Sequence, residues 1–369
     1  MSPHLQTSFW QRMGLKEGYR EECLRAVQAR FPAHRIEEHR DQGYCSFTLL
    51  LYPQAKTSPF VVEPPLIIQI RPEQHAFDLN IIQAANHTYG SLAPKVRSLD
   101  CALPPRLYAF EIESVCGVQF SKCLTRTQCL QSRLWTKQLN LVTAFSGLVS
   151  RAWPSQSSQP FPHTLRAHSP ITENSSMLSQ CRGRVGSQIL SKLQKLEQHL
   201  PDSKLRRRAR SVLHGIQTLK NWPVVLNHGD LIPSNIFVDD KTWEITGWVD
   251  WAEAEWLPFG TCLYSLEFFL GFMRTRRDGS EDLEFVYYDE VDVLRMFFYE
   301  YMEENVPALE GRKRELMLAR DMGVLLWYGF AWDEGAIDRV VNEVDDREEV
   351  ECLRKFLGAS AVEEDTIRD

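Results

Sequence analysis

The first 115 residues alternate between helical and strand-like patterns of apolar positions. Helices repeat apolar residues every three to four positions, whereas strands are short runs rich in aliphatic and aromatic residues. On this basis we predict a helix over 17–31, strands over 44–52 and 65–71, a helix over 76–90 and a strand over 106–115. Asp78 is a suitable N-cap for the second helix, and Gly90 a suitable stop. The order predicts a small α+β lobe around one sheet.

From about residue 125 the pattern becomes mostly helical. We predict helices over 128–153, near 177–199 and 203–220, and within the apolar segments 263–273 and 322–332, with a Ser- and Pro-rich loop over 154–176. The pattern changes once, at "VVLNHGD" (224–230), which reads as a short buried strand entering a loop. The following "NIFVDDKTWEITGWVDW" (235–251) predicts a β-hairpin with its turn at Asp239–Thr242.

Composition limits the class of protein. The chain has 369 residues, 43% hydrophobic and 25% charged, which is typical of a globular protein and long enough for two lobes. A net charge of −7 argues against nucleic acid as a general partner. Nine cysteines without metal-ligand spacing indicate free thiols in a reducing compartment. The sequence starts without a signal-peptide pattern and has no stretch of ~18 apolar residues, so we expect a cytoplasmic protein with no membrane partner.

The chemistry concentrates in "HGDLIPSN", which begins at His228. Asn235 starts the first strand of the predicted hairpin and Asp250 ends the second. If the strands pair, an amide and a carboxylate oxygen become neighbours, a suitable hard-ligand set for Mg²⁺. Asp230 can face the same cleft and take a proton from a hydroxyl that attacks a phosphoryl group. The simpler alternative, a polar turn between strands, would not need this second Asp.

Two neighbours support the loop. Gly229 permits the backbone conformations that a tight loop needs. We group His228 with the catalytic loop, as a hydrogen-bonding support for it rather than as a general base, because phosphoryl transfer depends mainly on positioning and charge stabilisation.

"LNHGDLIPSNIFVD" followed by "ITGWVDWAEAEWLPFG" resembles the catalytic segment of the aminoglycoside phosphotransferase and choline kinase family. That family's loop reads H-G-D-x-x-x-x-N, and its metal-binding Asp follows a hairpin in an I/V-D-W context. The resemblance implies Asp230 as catalytic base, Asn235 as a magnesium ligand and Asp250 as the main magnesium ligand, with ATP as donor. "VDWAEAEWLPFGTCLYSLE" and "LLWYGFAWDEGAIDRVV" resemble fungal members, many of them associated with secondary metabolism.

The resemblance also implies the fold. We expect an α+β, protein-kinase-like, two-lobed fold, with a small β-rich N-terminal lobe and a larger, mainly helical C-terminal lobe that carries the catalytic-loop hairpin. The nucleotide-binding lobe would span 1–113, and the catalytic and substrate-binding lobe 114–369. By position, the backbone around Glu111 and Glu113 would meet the adenine edge.

The predicted nucleotide lobe departs from the family pattern. The loop "DQGYCSF" (41–47), with Gly43, Tyr44 and Ser46, stands where a phosphate-covering loop is expected, but its single glycine also suits an ordinary hairpin turn. Arg71 matches the phosphate-contacting base. The helix over 76–90 has no Glu to pair with it, so Gln83 either holds Arg71 by a neutral hydrogen bond or is a surface residue.

The acceptor side offers candidates of two kinds. The carboxylates are Glu253, Glu255, Asp333 and Glu334, which either bind a cationic acceptor or are solvated surface charges. The aromatic residues are Trp251, Trp256, Trp327, Tyr328 and Trp332, which either line a pocket or pack in the core.

Three functions are compatible with these patterns. The first is an ATP- and Mg²⁺-dependent phosphotransferase acting on a small-molecule hydroxyl, as a monomer or weak homodimer. The second is a non-catalytic, pseudokinase-like protein that binds a nucleotide or metabolite, which the missing helix Glu favours. The third is a kinase fold adapted to phosphorylation-driven cyclisation or dehydration. The complete set of Asp230, Asn235 and Asp250 favours the first.

Overall fold

The protein consists of two compact units. The structure is a computed structural model that describes residues 8–54, 64–124, 127–130, 132–154, 177–217, 219–276 and 282–365. The first unit comprises Met1–Cys116 and Gly247–Ala252, and the second Gly117–Thr246 and Glu253–Asp369. The predicted Ser/Pro loop lies, except for its first residue, outside the described ranges.

The segment Gly247–Ala252 differs from the sequence-based division, which assigned it to the second lobe. Its two tryptophans explain its place in the first unit. The ring of Tyr89 lies 5.1 Å from that of Trp248 and 5.2 Å from that of Trp251. Aromatic packing of this kind buries large areas and holds the segment against the first unit.

The first unit is built around a five-stranded antiparallel sheet with strand order β1-β2-β3-β5-β4. Its elements are α1 (Phe9–Arg12), α2 (Tyr19–Arg30), β1 (His34–Glu38), β2 (Phe47–Pro53), β3 (Leu66–Pro72), α3 (Leu79–Tyr89), β4 (Val96–Leu99) and β5 (Leu107–Ile112). The sequence pattern missed β1 and β4, which are the two edge strands. Edge strands bury little and carry polar residues, so "HRIEE" and "VRSL" have no strong hydrophobic signal.

One hydrophobic cluster of the first unit lies on one face of the sheet. Apolar residues of β2 and β3 pack there against α1 and α2. The ring of Trp10 lies 4.8 Å from that of Phe9 and 5.0 Å from that of Phe47. The limits predicted for α3 are confirmed: the Asp78 side chain accepts from the Asn80 amide at 2.8 Å, and Gly90 ends the helix at φ +63°.

The second unit is mainly helical, with three small sheets. Its elements are β6 (Val118–Gln119), α4 (Ser132–Ser150), α5 (Ile189–His199), α6 (Ser203–Ile216), β7 (Val224–Asn227), β8 (Ile236–Val238), β9 (Ile245–Trp248, whose last two residues belong to the first unit), β10 (Glu255–Pro258), α7 (Glu267–Leu270), β11 (Gly271–Thr275), β12 (Leu283–Tyr287), α8 (Val291–Asn305), α9 (Lys313–Tyr328) and α10 (Arg347–Asp365). The sheet orders are β6-β8-β9, β10-β7 and β11-β12. The predicted hairpin after "HGDLIPSN" is confirmed as β8 and β9, and Asp239 accepts from the Lys241 and Thr242 amides in its turn.

The helix predicted over 263–273 is wrong in its last three residues. A 3-10 turn (Thr261–Leu266) and the short α7 are followed by β11, which pairs with β12. Gly271 lies close to the partner strand, since a Cβ there would approach the Val286 carbonyl oxygen to 2.4 Å. A continuous apolar run does not distinguish a buried helix from a buried strand. The helix predicted near 177–199 also starts later than expected, at Ile189.

A buried ionic network lies inside the helical unit. Glu267, in α7, accepts from Arg295 at 2.9 Å and from the Tyr287 hydroxyl at 2.7 Å, and it also pairs with Arg320. Burial opposes ionisation of Glu267, but the two guanidinium groups outweigh it and hold its pKa below the usual value. Arg320 also bonds Asp321 at 2.6 Å. Each buried charge therefore has an opposite partner, as stability in an apolar interior requires.

Two general features of the described residues concern the thiols and the helices. All nine cysteines lie within the described ranges, and none of them forms a disulfide. No helix among the described residues is both long and apolar enough to cross a membrane.

Candidate active site

The loop that carries Asp230 begins at a firmly anchored residue. Asn227, the last residue of β7, is buried, and its side-chain amide donates to the carbonyl oxygens of Val225 at 3.0 Å and Leu257 at 3.1 Å. Its side-chain oxygen accepts from the Cys262 amide at 3.0 Å. The next residue, His228, is also buried, and its Nδ1 accepts from the Asp230 amide at 3.3 Å. The loop-supporting role suggested for His228 stays a prediction, and this hydrogen bond is the observation that bears on it.

Gly229 is required by the shape of the loop. Its φ is +79°, a conformation that L side chains rarely adopt. A Cβ at this position would lie 1.8 Å from the Glu253 carbonyl oxygen, which belongs to the backbone and cannot rotate away. Residue 229 therefore has to be glycine for the loop to pass Glu253 in this conformation.

Asp230 and Asn235 are in direct contact. The Asn235 side-chain nitrogen donates to the Asp230 backbone oxygen at 2.9 Å and to its carboxylate Oδ2 at 2.8 Å. The Ile232 amide donates to the same backbone oxygen at 3.1 Å, and the Asn235 amide donates to the Ile232 oxygen at 2.9 Å. Both side chains are half-buried. The loop thus orients one carboxylate oxygen of Asp230 through Asn235 and leaves the Asn235 amide oxygen for another group.

Tyr264 is a loop contact that sequence reasoning missed. Its hydroxyl oxygen accepts from the Leu231 amide at 2.8 Å, and its ring stacks on Trp327 with centroids 4.9 Å apart and planes 4° apart. Burial and then the charge of Asp230 raise the pKa of Tyr264 well above its ordinary value, so the hydroxyl keeps its proton. No motif spacing marks Tyr264, because its role depends on chain segments 33 residues apart.

Asp250 lies in the first unit and contacts Arg71. Arg71 Nη2 donates to Asp250 Oδ1 at 2.8 Å. The Arg71 side chain is 3% exposed and that of Asp250 is 43% exposed. Asp250 has φ +63°, an uncommon conformation for a non-glycine residue. The two pairs, Asp230 with Asn235 and Arg71 with Asp250, belong to different compact units.

The structure gives Arg71 partners other than Gln83. Arg71 Nε donates to the Gln69 side chain at 2.9 Å and Nη1 donates to the His75 carbonyl at 3.3 Å, while the guanidinium lies 4.0 Å from the centroid of the Phe77 ring. Gln83 is exposed and makes no hydrogen bond with Arg71, both of which the structure describes. It falls on the outer face of α3, whose inner face buries Ile82 and Ala85. The holding role considered for Gln83 therefore belongs to Gln69 and Asp250.

The loop between β1 and β2 is held by its own unit. The Gly43 carbonyl accepts from Arg12 at 3.1 Å, and the Arg12 guanidinium lies 5.2 Å from the centroid of the Tyr44 ring. Ser46 is buried, and a Cβ on Gly43 would lie 2.6 Å from its hydroxyl oxygen. These contacts fix the loop conformation, and a phosphate-covering role for Gly43, Tyr44 and Ser46 stays a prediction.

Glu111 and Glu113, which we expected at the hinge, make backbone and side-chain contacts in and beside the five-stranded sheet. Glu111 lies in β5 between β3 and β4, opposite Ile68 and Arg97. The Glu113 amide donates to the Lys95 carbonyl at 2.9 Å, and the Glu113 carboxylate accepts from the Lys95 amide at 3.1 Å. Because β5 has a strand on each side, the backbone of Glu111 and the amide of Glu113 are engaged within the unit.

Two of the candidate acceptor carboxylates have structural partners. Glu255 is buried and accepts from the amides of Val185 at 3.0 Å and Gly186 at 2.8 Å. Burial raises the pKa of Glu255 against the lowering effect of these bonds. Asp333 accepts two bonds from Arg339, at 2.9 and 3.0 Å. Because both carboxylates already have hydrogen-bond partners, neither is well suited to bind a cationic acceptor.

The remaining acceptor candidates differ in exposure. Trp251 is buried, and its indole nitrogen donates to the Trp248 carbonyl at 2.8 Å; Tyr328 is buried against Phe356. These two are core residues. Glu253, Trp256 and Trp327 are half-buried and Trp332 is exposed, while the side chain of Glu334 lies outside the described residues. The half-buried and exposed residues stay candidates.

Comparison with known proteins finds a family match over part of the chain. Residues 156–261 match the model of the phosphotransferase enzyme family, and this range includes Asp230, Asn235 and Asp250. The match covers less than a third of the chain, and it is the part that carries the catalytic-loop motif. The enzyme class is accordingly a small-molecule phosphotransferase, as the motif predicted. No curated protein matches the sequence.

Solved structures similar to this chain match it over most of its length. A protein of Ralstonia eutropha JMP134, provisionally assigned as an aminoglycoside phosphotransferase, is 12% identical with a TM-score of 0.51, and the match covers 90% of this chain and 95% of that one. A type VIII aminoglycoside-3'-phosphotransferase is 14% identical with a TM-score of 0.44, covering 83% and 99%. An aminoglycoside phosphotransferase of Streptomyces rimosus is 13% identical with a TM-score of 0.43, covering 82% and 97%. Identities this low bear on the fold alone. The Ralstonia structure is the one of these three with a TM-score above 0.5, and it confirms the predicted α+β, protein-kinase-like fold.

Proposed function

We propose that this phosphotransferase moves the γ-phosphoryl group of ATP to a hydroxyl group of a small molecule, in a Mg²⁺-dependent reaction. The observation that carries the proposal is the contact between Asp230 and Asn235. Asn235 binds both the backbone and one carboxylate oxygen of Asp230, so the carboxylate has a fixed direction. A base held in this way suits a reaction in which positioning supplies most of the catalysis.

Each unit offers an oxygen atom of the kind that binds magnesium. Asn235 uses its side-chain nitrogen for Asp230, which leaves its amide oxygen as a hard ligand. Asp250 uses Oδ1 for Arg71, and its exposed side chain leaves Oδ2 as a second one. Mg²⁺ keeps few protein ligands and prefers such oxygens. When bound, it would neutralise phosphate charge, while Asp230 would hold and deprotonate the acceptor hydroxyl.

Arg71 would supply fixed positive charge to the phosphates. Its guanidinium is always charged and is held by Gln69, His75 and Asp250 without an acid on α3. These contacts support a nucleotide-binding role despite the missing helix Glu. The acceptor is expected to be a small metabolite, and a secondary metabolite is the class that we propose to screen first.

The proposal is tested by nucleotide titration followed by acceptor screening. We expect ATP with Mg²⁺ to raise the melting temperature more than ATP alone, because a ligand that binds only the folded state stabilises it. Screening Mg-ATP consumption against a metabolite panel should then reveal a product heavier by one phosphoryl group. No thermal response to nucleotide would refute the proposal. Stabilisation without consumption would instead favour the pseudokinase alternative.

Replacing Arg71 with Met is expected to weaken ATP binding about tenfold or more, because it removes a charge-assisted phosphate contact while keeping an unbranched side chain. Gln83→Ala provides the matched comparison, since Gln83 is exposed and makes no bond to Arg71. We expect its ATP affinity to stay within about twofold of the wild type, because exposed substitutions are usually near neutral. Isothermal titration of each variant measures both. Equal losses in the two variants would contradict the assignment of Arg71.

A further inference from the structure

The residue after the proposed base has a buried amide that depends on one side chain. Leu231 has no exposed surface, and its backbone N–H donates to the Tyr264 hydroxyl at 2.8 Å. A buried amide without an acceptor costs about 1–3 kcal/mol. The position of Leu231, and with it that of Asp230, is therefore tied to the position of the Tyr264 oxygen.

The 3-10 segment Thr261–Leu266 contacts the loop on both sides of Asp230. At the near end the Cys262 amide donates to the Asn227 side chain at 3.0 Å, and beyond Asp230 the Tyr264 hydroxyl accepts from Leu231. Asp230 thus lies between two anchor points that belong to one short, fully buried segment. This arrangement fixes the base independently of its own side-chain contacts.

The Tyr264 oxygen is itself held in place by packing. The ring is 3% exposed and lies flat on Trp327, in α9, at a centroid distance of 4.9 Å. Stacked aromatic pairs contribute about 0.5–1.5 kcal/mol beyond burial. Because two χ angles define the ring of a tyrosine, this contact fixes the position of its phenolic oxygen.

We propose that Tyr264, held by Trp327, is a positioning residue for the general base Asp230. The proposal rests on the proposed function. Tyr264 takes no part in proton transfer; its oxygen holds the Leu231 amide so that the Asp230 carboxylate keeps the geometry needed to meet a hydroxyl. A displacement of about 1 Å in such a group costs on the order of 100-fold in rate.

The test compares Tyr264→Phe with Tyr328→Phe, using Mg-ATP hydrolysis with water as the acceptor. Both variants remove a buried phenolic oxygen from the helical unit, but the Tyr328 hydroxyl has no hydrogen-bond partner among the described residues. We expect Tyr264→Phe to lower kcat on the order of 10- to 100-fold with the KM for ATP unchanged. We expect Tyr328→Phe to keep wild-type kinetics.

Amide hydrogen exchange of the peptide 226–237 gives a readout independent of turnover. It should accelerate in Tyr264→Phe and stay unchanged in Tyr328→Phe, with melting temperatures measured for both. Trp327→Leu keeps the Tyr264 hydroxyl but removes the ring that supports it. It should lower kcat and accelerate exchange of the peptide 226–237, each by less than Tyr264→Phe does. If Tyr264→Phe does not fold, the Trp327→Leu variant tests the positioning role instead: unchanged kcat and exchange in a folded Trp327→Leu protein would overturn it.

The outcomes separate the two proposals. Wild-type kcat in a folded Tyr264→Phe variant overturns the positioning role, as does a raised KM for ATP with kcat unchanged. Exchange that is the same in both Tyr→Phe variants overturns it as well. A wild-type protein that binds Mg-ATP but never turns it over refutes the proposed function, and the catalytic part of this inference with it.

Discussion

Asp230→Asn is expected to lower the turnover number by about 10²- to 10⁴-fold while the protein stays folded and binds Mg-ATP. The amide is nearly isosteric with the carboxylate and can still accept from Asn235, so the loop contacts survive. It cannot take a proton from the acceptor, and general-base catalysis contributes an effect of this size. Steady-state kinetics with the acceptor found by screening, together with a thermal-shift titration, measure both properties.

Asp240→Asn is the matched control for this substitution. Asp240 is an exposed residue of the second unit, in the turn between β8 and β9, and the change in charge is the same. Its turnover should equal that of the wild type. If Asp230→Asn retained wild-type turnover, the assignment of Asp230 as base would be wrong. A large loss in Asp240→Asn would mean that net charge, rather than the base, controls the rate.

Gly229→Ala is expected to cost at least about 4 kcal/mol of unfolding free energy, or else to move the loop and abolish turnover. The reason is steric. The new Cβ would lie 1.8 Å from the Glu253 carbonyl oxygen, and either the loop or the Glu253 backbone has to shift. Because Gly229 precedes Asp230, a shift of the loop displaces the base. Urea denaturation measures the first effect and ATP turnover the second.

Gly311→Ala separates the clash from backbone strain. Gly311 has φ +71°, close to the +79° of Gly229, but a Cβ there meets nothing within 4 Å. We expect this control to lose only about 1–2 kcal/mol, the cost of a left-handed conformation for an L residue. Similar losses in the two variants, with turnover intact in both, would contradict the steric role of Gly229.

Much of the helical and strand structure could be predicted because its signals are local. The ends of α3 followed from a capping Asp78 and a terminating Gly90, and the hairpin β8–β9 from alternation around a polar turn at Asp239. The errors occurred where local signals are weak. The edge strands β1 and β4 lack an apolar pattern, and the strand β11 lies within an apolar run that a helix would also fit.

The sequence alone determined the family motif and the chemical types at the site. "HGDLIPSN" and the later "VDW" supply a carboxylate, an amide and a second carboxylate in a fixed order, and chain order is a property of the sequence. Their spacing also suggested His228 as a loop support, which stays a prediction; its ring nitrogen accepts from the Asp230 amide.

Only the tertiary structure decided which groups hold these residues. Arg71 is held by Gln69 and Asp250 rather than by Gln83, and Leu231 is held by Tyr264. These partners are separated by up to 179 positions along the chain, as Arg71 and Asp250 are. No local pattern of hydrophobic and polar residues encodes such a pairing, because it arises only when packing brings distant segments within hydrogen-bonding distance.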